Sequence, residues 1–476
     1  MIRDPQSEIF LTALPDDITR AGGLLDVDAE MVENISDLVD AGQRGMVLNL
    51  LADLYPADIS LLLERLPYAQ AQQVFHWLPV EEASEVVVEM DSDLRTELLE
   101  EAQTERVAAI IDEMETDDAA DVLAELPEAV AQQVLPALED AADVQELLGY
   151  AEDTAGGIMG TEYVAVQQAW TVSRATEEVR HSAEAFEPYV VYVVDEQERL
   201  EGFVTLKHLL LARASVRIRD IMDPDVIHVQ TDMDQEEVAR IMERYDLVAL
   251  PVVNAEGVLV GSITIDDVVD VIREEAEEDL QRISGVSPDE SPFDTVLEIS
   301  RSRLPWLVTG LGASFISGLV IETFSGELEK AVALAMFIPI ITAMGGNAAI
   351  QSAAITVQGL SSREVWVEDM LRRIGKEALV ALLNGLALAL LIGSVVILLN
   401  ALGVLHPGAP YRLALTVGLT LFTVILLATS NGVLMPFLLK RAGADPTSAM
   451  GPFVTTLNDI IGLTVYFLYA TVLYLG

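Results

Sequence analysis

The chain contains no cysteine at all. That excludes a disulfide framework, a thiolate metal site and thiol chemistry. Basic residues are scarce as well, with lysine only at Lys207, Lys330, Lys376 and Lys440. The five histidines are scattered, and neither a nucleophile–base pairing nor a Walker-type glycine loop accompanies them, so the sequence reads as a non-enzyme. The opening residues, MIRDPQSEIF, lack a basic stretch followed by an apolar core. No signal peptide is therefore expected, and the soluble part should stay cytoplasmic.

Acid dominates what is present. Asp and Glu number 77 against 27 Lys and Arg, a formal net charge of −50 over 476 residues. The excess lies between Met1 and about Ser300, and from Leu304 onward long apolar runs take over. A chain this long holds several domains. Its acidic surface repels nucleic acid and attracts cations. Solubility at high salt would produce the same composition, and the two readings are compatible.

Taken in twelves from Leu54, the sequence repeats as LYPADISLLLER, LPYAQAQQVFHW, LPVEEASEVVVE and MDSDLRTELLEE, then AQTERVAAIIDE, METDDAADVLAE and LPEAVAQQVLPA. Each unit opens on an apolar residue, continues with Pro or a polar residue, and becomes amphipathic. Pro fits the first helical turn, and Asp or Glu there suits the helix dipole. Short helices stacked through such a repeat are expected to form a superhelical array with a local core. Scaffolding alone would account for its acidic residues.

From about Asp153 short strands alternate with helices. The order strand, helix, strand, turn, strand, helix occurs twice, most clearly as VIHV, DQEEVARIMERYD, ALPVV, NAEG, VLVGSITI and DDVVDVI. The Asp-Pro after Met222, the Leu-Pro-Val-Val strand and the ending Gly261, Thr264, Asp267 resemble a tandem pair of CBS domains. That resemblance implies a regulatory module rather than a working part. A charged helical connector with a Ser-Pro break is expected from Arg273 to Ser302.

A hydrocarbon core about 30 Å thick needs about 20 apolar helical residues. Five stretches qualify: about Trp306–Ile321, Ala331–Val357, Ala378–Leu402, Leu413–Leu438 and Phe453–Leu475. Arg301 and Arg303 precede the first, Arg363, Arg372, Arg373 and Lys376 separate the second from the third, and Lys440 and Arg441 follow the fourth. By the positive-inside rule the N-terminal side is cytoplasmic and Gly476 lies outside.

Asp459 stands within the fifth span, where a carboxylate costs a few kcal/mol and should face a water-filled path or a partner. Thr455 lies one turn earlier and Asn458 is adjacent, so hard oxygen ligands gather with no cationic residue in that helix. Magnesium keeps several waters, which suits few carboxylates and room for water. Paired across a two-fold axis, Asp459 would hold a hydrated divalent ion. An Asp satisfied by backbone or another helix is the competing reading. In the second span Asn347 and Gln351 are one turn apart, and Gly345-Gly346 permits close approach or local unwinding. They are candidates to line the pore or to pack helices. Thr416, Thr420, Thr423, Ser430 and Asn431 suit interhelical hydrogen bonds equally well. In the second CBS copy and its exit, Asp267 and Asp270, and Glu275, Glu278 and Asp279, recur at helical spacing. Like charges on one face repel unless cations neutralise them, which would make a switch. A merely solvated charge run is the alternative.

In this order, a repeated acidic helical domain, a CBS pair, a charged connector and five spans resemble the MgtE family of magnesium channels over nearly the whole chain. EDTAGGIMGTEYVAV, TDMDQEEVARIMERYDLVALPVV, TIDDVVDVI, GGNAAIQSA and TLND carry the likeness. It implies four parts: an acidic helical-repeat domain over 1–150, tandem CBS domains over 151–272, a plug helix over 273–303 and a five-helix pore domain over 304–476. It also implies a homodimer in a cell membrane with one central Mg2+-selective pore, closed by intracellular Mg2+ on the cytoplasmic domains.

By matching motifs, Asp459 is the selectivity carboxylate, Thr455 an adjoining pore position and Asp445 an acidic position at the cytoplasmic side of the pore. The sensor positions implied are Gly156, Asp234, Glu236, Glu243 and Asp246, then Asp267, Asp270, Glu275, Glu278 and Asp279. Asp117 and Asp121 match acidic positions of the helical domain. Two departures stand out. Ala349 occupies a place where relatives often have Gly, and Lys207-His208 one where some have Arg-Asp at a nucleotide-contacting strand end, which leaves ATP at the CBS pair open. The alternative function is a secondary transporter exchanging Mg2+ or another divalent ion, such as Mn2+ or Co2+, for protons or sodium.

Overall fold

The computed structural model describes residues 27–476 apart from 184–185, 187, 285, 288–294, 362–369, 444–445 and 448–451. Contacts divide the chain into two compact units, Met1–Ile272 and Arg273–Gly476.

The first unit begins with helices α1 (Ala29–Asp40), α2 (Arg44–Leu51), α3 (Pro56–Arg65), α4 (Tyr68–Trp77) and α5 (Val80–Val88). They are followed by α6 (Ser92–Glu100), α7 (Thr104–Ile111), α8 (Thr116–Glu125), α9 (Glu128–Val134) and α10 (Ala141–Leu147). From α3 to α9 the starts recur every twelve residues, at the third position of each sequence unit. Pro56 is the first helical residue of α3, while Pro67, Pro79 and Pro127 cap α4, α5 and α9, places where a missing N–H costs nothing. The opening residues Leu66, Leu78, Met90 and Leu126 are buried. Helices α3, α4, α5, α7 and α8 each bury one stripe at i, i+3, i+4, as Ile59, Leu62 and Leu63 do in α3 and Val107, Ile110 and Ile111 in α7. Alternate helices pack together, α3 on α5, α5 on α7 and α7 on α9. The expected superhelical array is present.

Next come β1 (Val164–Gln167), α11 (Val172–Ser182), β2 (Val190–Val194), β3 (Leu200–Thr205) and α12 (Leu206–Leu211). The second copy is β4 (Val229–Gln230), α13 (Gln235–Tyr245), β5 (Ala249–Val253), β6 (Leu259–Thr264) and α14 (Ile265–Ser284). Each copy is a three-stranded sheet whose first two strands are parallel and whose last two are antiparallel, with Val164 beside Val191 and Ala249 beside Thr264. In the second copy the turn between β5 and β6 holds Gly257 at φ +81°, a conformation glycine adopts freely. Gly160 exchanges two backbone hydrogen bonds with Ser262, which stitches the segment before β1 to β6. That stitch places the functional site. The first strand of the second copy is shorter than VIHV suggests, because only Val229 and Gln230 pair with β5.

The second unit holds α15 (Val296–Thr323), α16 (Ser325–Lys330), α17 (Ile338–Ser361), α18 (Met370–Ala401), α19 (Pro410–Arg441) and α20 (Pro452–Tyr469). Among the described residues five segments are long and apolar enough to cross a membrane: Val296–Thr323, Val332–Leu360, Met370–Ala401, Pro410–Arg441 and Val454–Leu475. The first starts earlier than Trp306 because Thr295 and Glu298 form a reciprocal capping box that fixes the helix start at Val296. Residues expected in the connector therefore continue into the first span. The second is interrupted where a 3-10 stretch, Val332–Phe337, precedes α17.

Helix α19 is the hub, packed against α17, α18 and α20. In its apolar window 61% of residues are buried, against none in that of α15. Gly345 and Gly346 do not unwind α17; they admit Val424 of α19 and Thr455 of α20. Ala349 is fully buried, and the room it needs comes from Gly432 of α19, where an added Cβ would stand 2.3 Å from the Ala349 carbonyl oxygen. Gly432→Ala should therefore force α17 and α19 apart and cost about 1–3 kcal/mol, read as a lower melting temperature in detergent.

An acidic cluster and a membrane carboxylate as candidate metal sites

The first turn of α8 opens on the sequence Glu115-Thr116-Asp117-Asp118, and the Thr161-Glu162 step before β1 lies against it. Glu162 accepts from the Thr116 amide through Oε1 at 3.1 Å and from the Thr116 hydroxyl through Oε2 at 2.9 Å. The Thr161 amide donates to the Thr116 hydroxyl oxygen at 2.9 Å. These bonds hold a negative side chain at a helix N-terminus, where unpaired N–H groups favour it. They also gather acid. Oxygens of Glu115, Asp117 and Glu162 all lie within 4.8 Å of one another.

Asp267, at the start of α14, faces the same place. Its Oδ2 accepts from the Thr264 amide at 3.0 Å and the Thr264 hydroxyl at 2.7 Å. Burial, with Asp267 and Asp118 nearby, pushes the Asp117 carboxyl well above the usual carboxylate range. Burial next to Asp267 and Asp121 pushes Asp118 up to about 7. Glu115, exposed at its outer edge, is also pushed up to about 7 by desolvation and by Glu162, Asp267 and Asp266. Asp267 rises to about 6 through burial, although its bonds from Thr264 oppose the shift. Crowded carboxylates with hard oxygen donors suit a divalent ion of the Mg2+ type.

The sequence-predicted positions divide into those this cluster uses and those it does not. Asp117 and Asp267 belong to it, and Asp121 and Asp270 act on it electrostatically. Gly156 packs on Tyr150 and donates to the Thr231 carbonyl, and the glycine that abuts Asp117 is Gly160. Asp234 caps α13 by accepting from the Glu236 and Glu237 amides. Glu236 pairs with Arg240 at 3.4 Å, Glu243 is exposed, and Asp246 ends α13 in the left-handed conformation. On α14, Glu278 pairs with Arg282 at 2.6 Å, while Glu275 and Asp279 are half-buried. Glu115, Asp118 and Glu162 were not singled out from sequence. The density of acid in METDD and the Glu within GTEYVAV were the available signals. Beside the cluster, a cavity of about 250 Å³ is lined by Tyr163, Tyr189, Tyr192, Glu115, Glu162 and Asp266, among others. The Tyr192 hydroxyl at its wall is 2.8 Å from the Ser262 hydroxyl.

In the second unit, Asp459 is half-buried on α20 and has no hydrogen-bond or ion-pair partner among the described residues. Thr455 is half-buried near Gly346, and Gly345 lies by the Asn458 backbone, so α17 crosses α20 at the level of Asp459. Asn347 and Gln351 are exposed. Asn458 is 2% exposed, donating to the Val454 carbonyl and accepting from Asn431 of α19 at 3.4 Å, so it joins helices. Thr416 and Thr420 bond back to their own helix, whereas Thr423 reaches Tyr469 of the last span. Asp445 lies outside the described residues.

A carboxylate whose folded pKa is raised stabilises the fold below its unfolded value, near pH 4, and loses that contribution as pH rises through the folded value. With values of about 6 to 7 here, the full chain in chelator should melt at a lower temperature at pH 8 than at pH 5. Millimolar Mg2+ should raise the pH 8 melt most, checked by thermal unfolding in detergent.

Family models match most of the chain: a divalent cation transporter model, MgtE, over 338–469, the MgtE intracellular N domain over 54–153, and CBS domains over 155–215 and 218–274. The magnesium transporter MgtE of Thermus thermophilus is 38% identical over 336 residues, 70% of this chain and 72% of that protein. The magnesium transporter MgtE of Bacillus subtilis is 37% identical over 332 residues, 69% of this chain and 71% of that protein. Among solved structures, the cytosolic domain of the Mg2+ channel MgtE in complex with ATP is 36% identical, with a TM-score of 0.49, covering 50% of this chain and 99% of that one. The relatives that match over most of the chain are named as transporters rather than enzymes. With its helical N-terminal domain, CBS pair and five apolar helices, the chain belongs to the MgtE family of magnesium transporters.

Proposed function

We propose that this protein is a Mg2+ channel of the cell membrane, assembled as a homodimer and closed by intracellular Mg2+. The observation that carries permeation is Asp459, a carboxylate in a membrane-length helix without a partner among the described residues. Such a charge persists in a span only where water or a cation satisfies it. Two copies facing across a two-fold axis supply paired oxygens and leave space for the ion's own water. Asp459 sets selectivity on this reading, with Thr455 beside it, Asn347 and Gln351 lining the path, and Asp445 on the cytoplasmic side. The N-terminal unit is cytoplasmic and Gly476 is outside, as the Arg and Lys distribution supports.

Closure uses the acidic cluster. Mg2+ bound among Asp117, Glu115, Glu162 and Asp267 cancels their repulsion and holds α8 against the CBS pair; when the ion is scarce the contact loosens. Asp270, Glu275, Glu278 and Asp279 continue the acidic surface along α14 toward the connector. Asp234, Glu236, Glu243, Asp246 and Gly156 remain candidates for further regulatory ions. On this reading the domains divide at residues 150, 272 and 303, and α14 and α15 each run through one of these limits. If the CBS pair binds ATP, the neighbouring cavity walled by Tyr163, Tyr189 and Tyr192 is where these residues would hold it.

Asp459→Ala should abolish Mg2+ flux into liposomes while the melting temperature changes little; undiminished flux refutes the pore role. Flux should also proceed without a proton or sodium gradient, since a requirement for one would establish the exchanging transporter instead. Asp117→Asn with Asp267→Asn should keep conductance high at millimolar Mg2+, and patch recordings that still show closure would reject the cluster as the sensor.

A further inference from the structure

Helix α17 presents Asn347 and Gln351 on an exposed side, and its other side is buried through Ala349, Ser352, Ala353 and Thr356. One hydroxyl on that buried side is tied to a charge. Ser352, 3% exposed, donates to Glu377 Oε2 of α18 at 2.8 Å. The other oxygen, Oε1, is 3.1 Å from an Nη of Arg373, one turn back on α18, and these two charged side chains are only 13% and 16% exposed. Farther along α17, Lys440 of α19 donates to the Leu360 carbonyl at 2.8 Å.

The Arg373–Glu377 pair lies within α18 and by itself says nothing about α17. The Ser352 bond is what reaches across. Elsewhere α17 meets α19 with Gly345 against Val424 and Ala349 against Gly432, contacts that let the two backbones approach closely but carry no directional bond. A hydrogen bond to a carboxylate is directional and stronger than a neutral one. Successive residues are about 100° apart around a helix, so turning α17 by one position would carry Ser352 away from Glu377.

We propose that Ser352 and Glu377 are positioning residues that set the rotation of α17 and so aim Asn347 and Gln351 at the ion path. The inference rests on the channel reading above. Neither residue touches the ion; they act through the helix between them and the pore. Removing the Ser352 hydroxyl leaves Glu377 with Arg373, so no charge is stranded, yet α17 loses its angular reference.

The absence of cysteine makes the test direct. Gln351→Cys in the full chain creates a single thiol, and its reaction with a charged methanethiosulfonate reagent in liposomes reports the exposure of that face to water. Adding Ser352→Ala should slow labelling and lower Mg2+ flux by about tenfold, the scale of one hydrogen bond to a charged group. The melting temperature should hold, and Ser352→Thr, which keeps the hydroxyl, should restore the labelling rate. Labelling and flux both unchanged by Ser352→Ala would overturn the positioning role and leave the channel reading intact. A thiol at 351 that never reacts, in the background with Ser352 present, would defeat the pore-lining reading of α17 and this inference with it. If Ser352→Ala lowers the melt, Ser352→Thr decides: a restored melt with labelling still slow rejects the tie.

Discussion

Carboxylates held a few ångströms apart and partly out of water repel one another, and the regulated behaviour proposed here depends on what neutralises them. Two agents can do so, a proton or a divalent cation, and both compete for the same oxygens. The Thr116–Glu162 bonds and the stitch between Gly160 and Ser262 hold the acidic groups in place before either arrives. The fold thus stores repulsion that binding can release. A cation that relieves it binds more tightly to the assembled contact than to a loosened one, which is the differential affinity a switch requires.

The membrane unit works under the opposite constraint. There the charges are few and the surfaces small, so specificity comes from isolated polar bonds set among Gly and Ala. Asn458 joins α20 to α19, Ser352 joins α17 to α18, and Lys440 fastens the end of α17. Asp459 stands apart because the chain gives it no comparable partner among the described residues. The proposed pore and the proposed sensor therefore share a logic: a carboxylate left incomplete by its own chain awaits an ion.

What could be read from sequence follows the range of the interactions. The twelve-residue period was legible because each helix start is a local matter of Pro or acid in a first turn, and the buried stripe repeats with it. The CBS order and the apolar spans were legible for the same reason. Asp234 shows the limit, since its charge is legible in the sequence while its bonds from the Glu236 and Glu237 amides at the start of α13 are not. Glu162 and Glu115 are not legible as a site because their meeting is made by chain segments far apart, and no spacing rule joins them. Asn458, adjacent to Asp459 in sequence, turns away into a helix contact, which only packing against Asn431 reveals.

The regular array of α3 to α9 has a further consequence. Since alternate helices pack together, pairs of units are interchangeable rungs, and rungs gained or lost at the α3 end leave the acid-bearing turn of α8 undisturbed. The stretch from Thr116 to Glu162, 46 residues apart, has no such freedom, because any change there would carry one wall of the cluster off the other. The fold therefore has one length that its packing leaves open to change and one that the geometry of the cluster fixes.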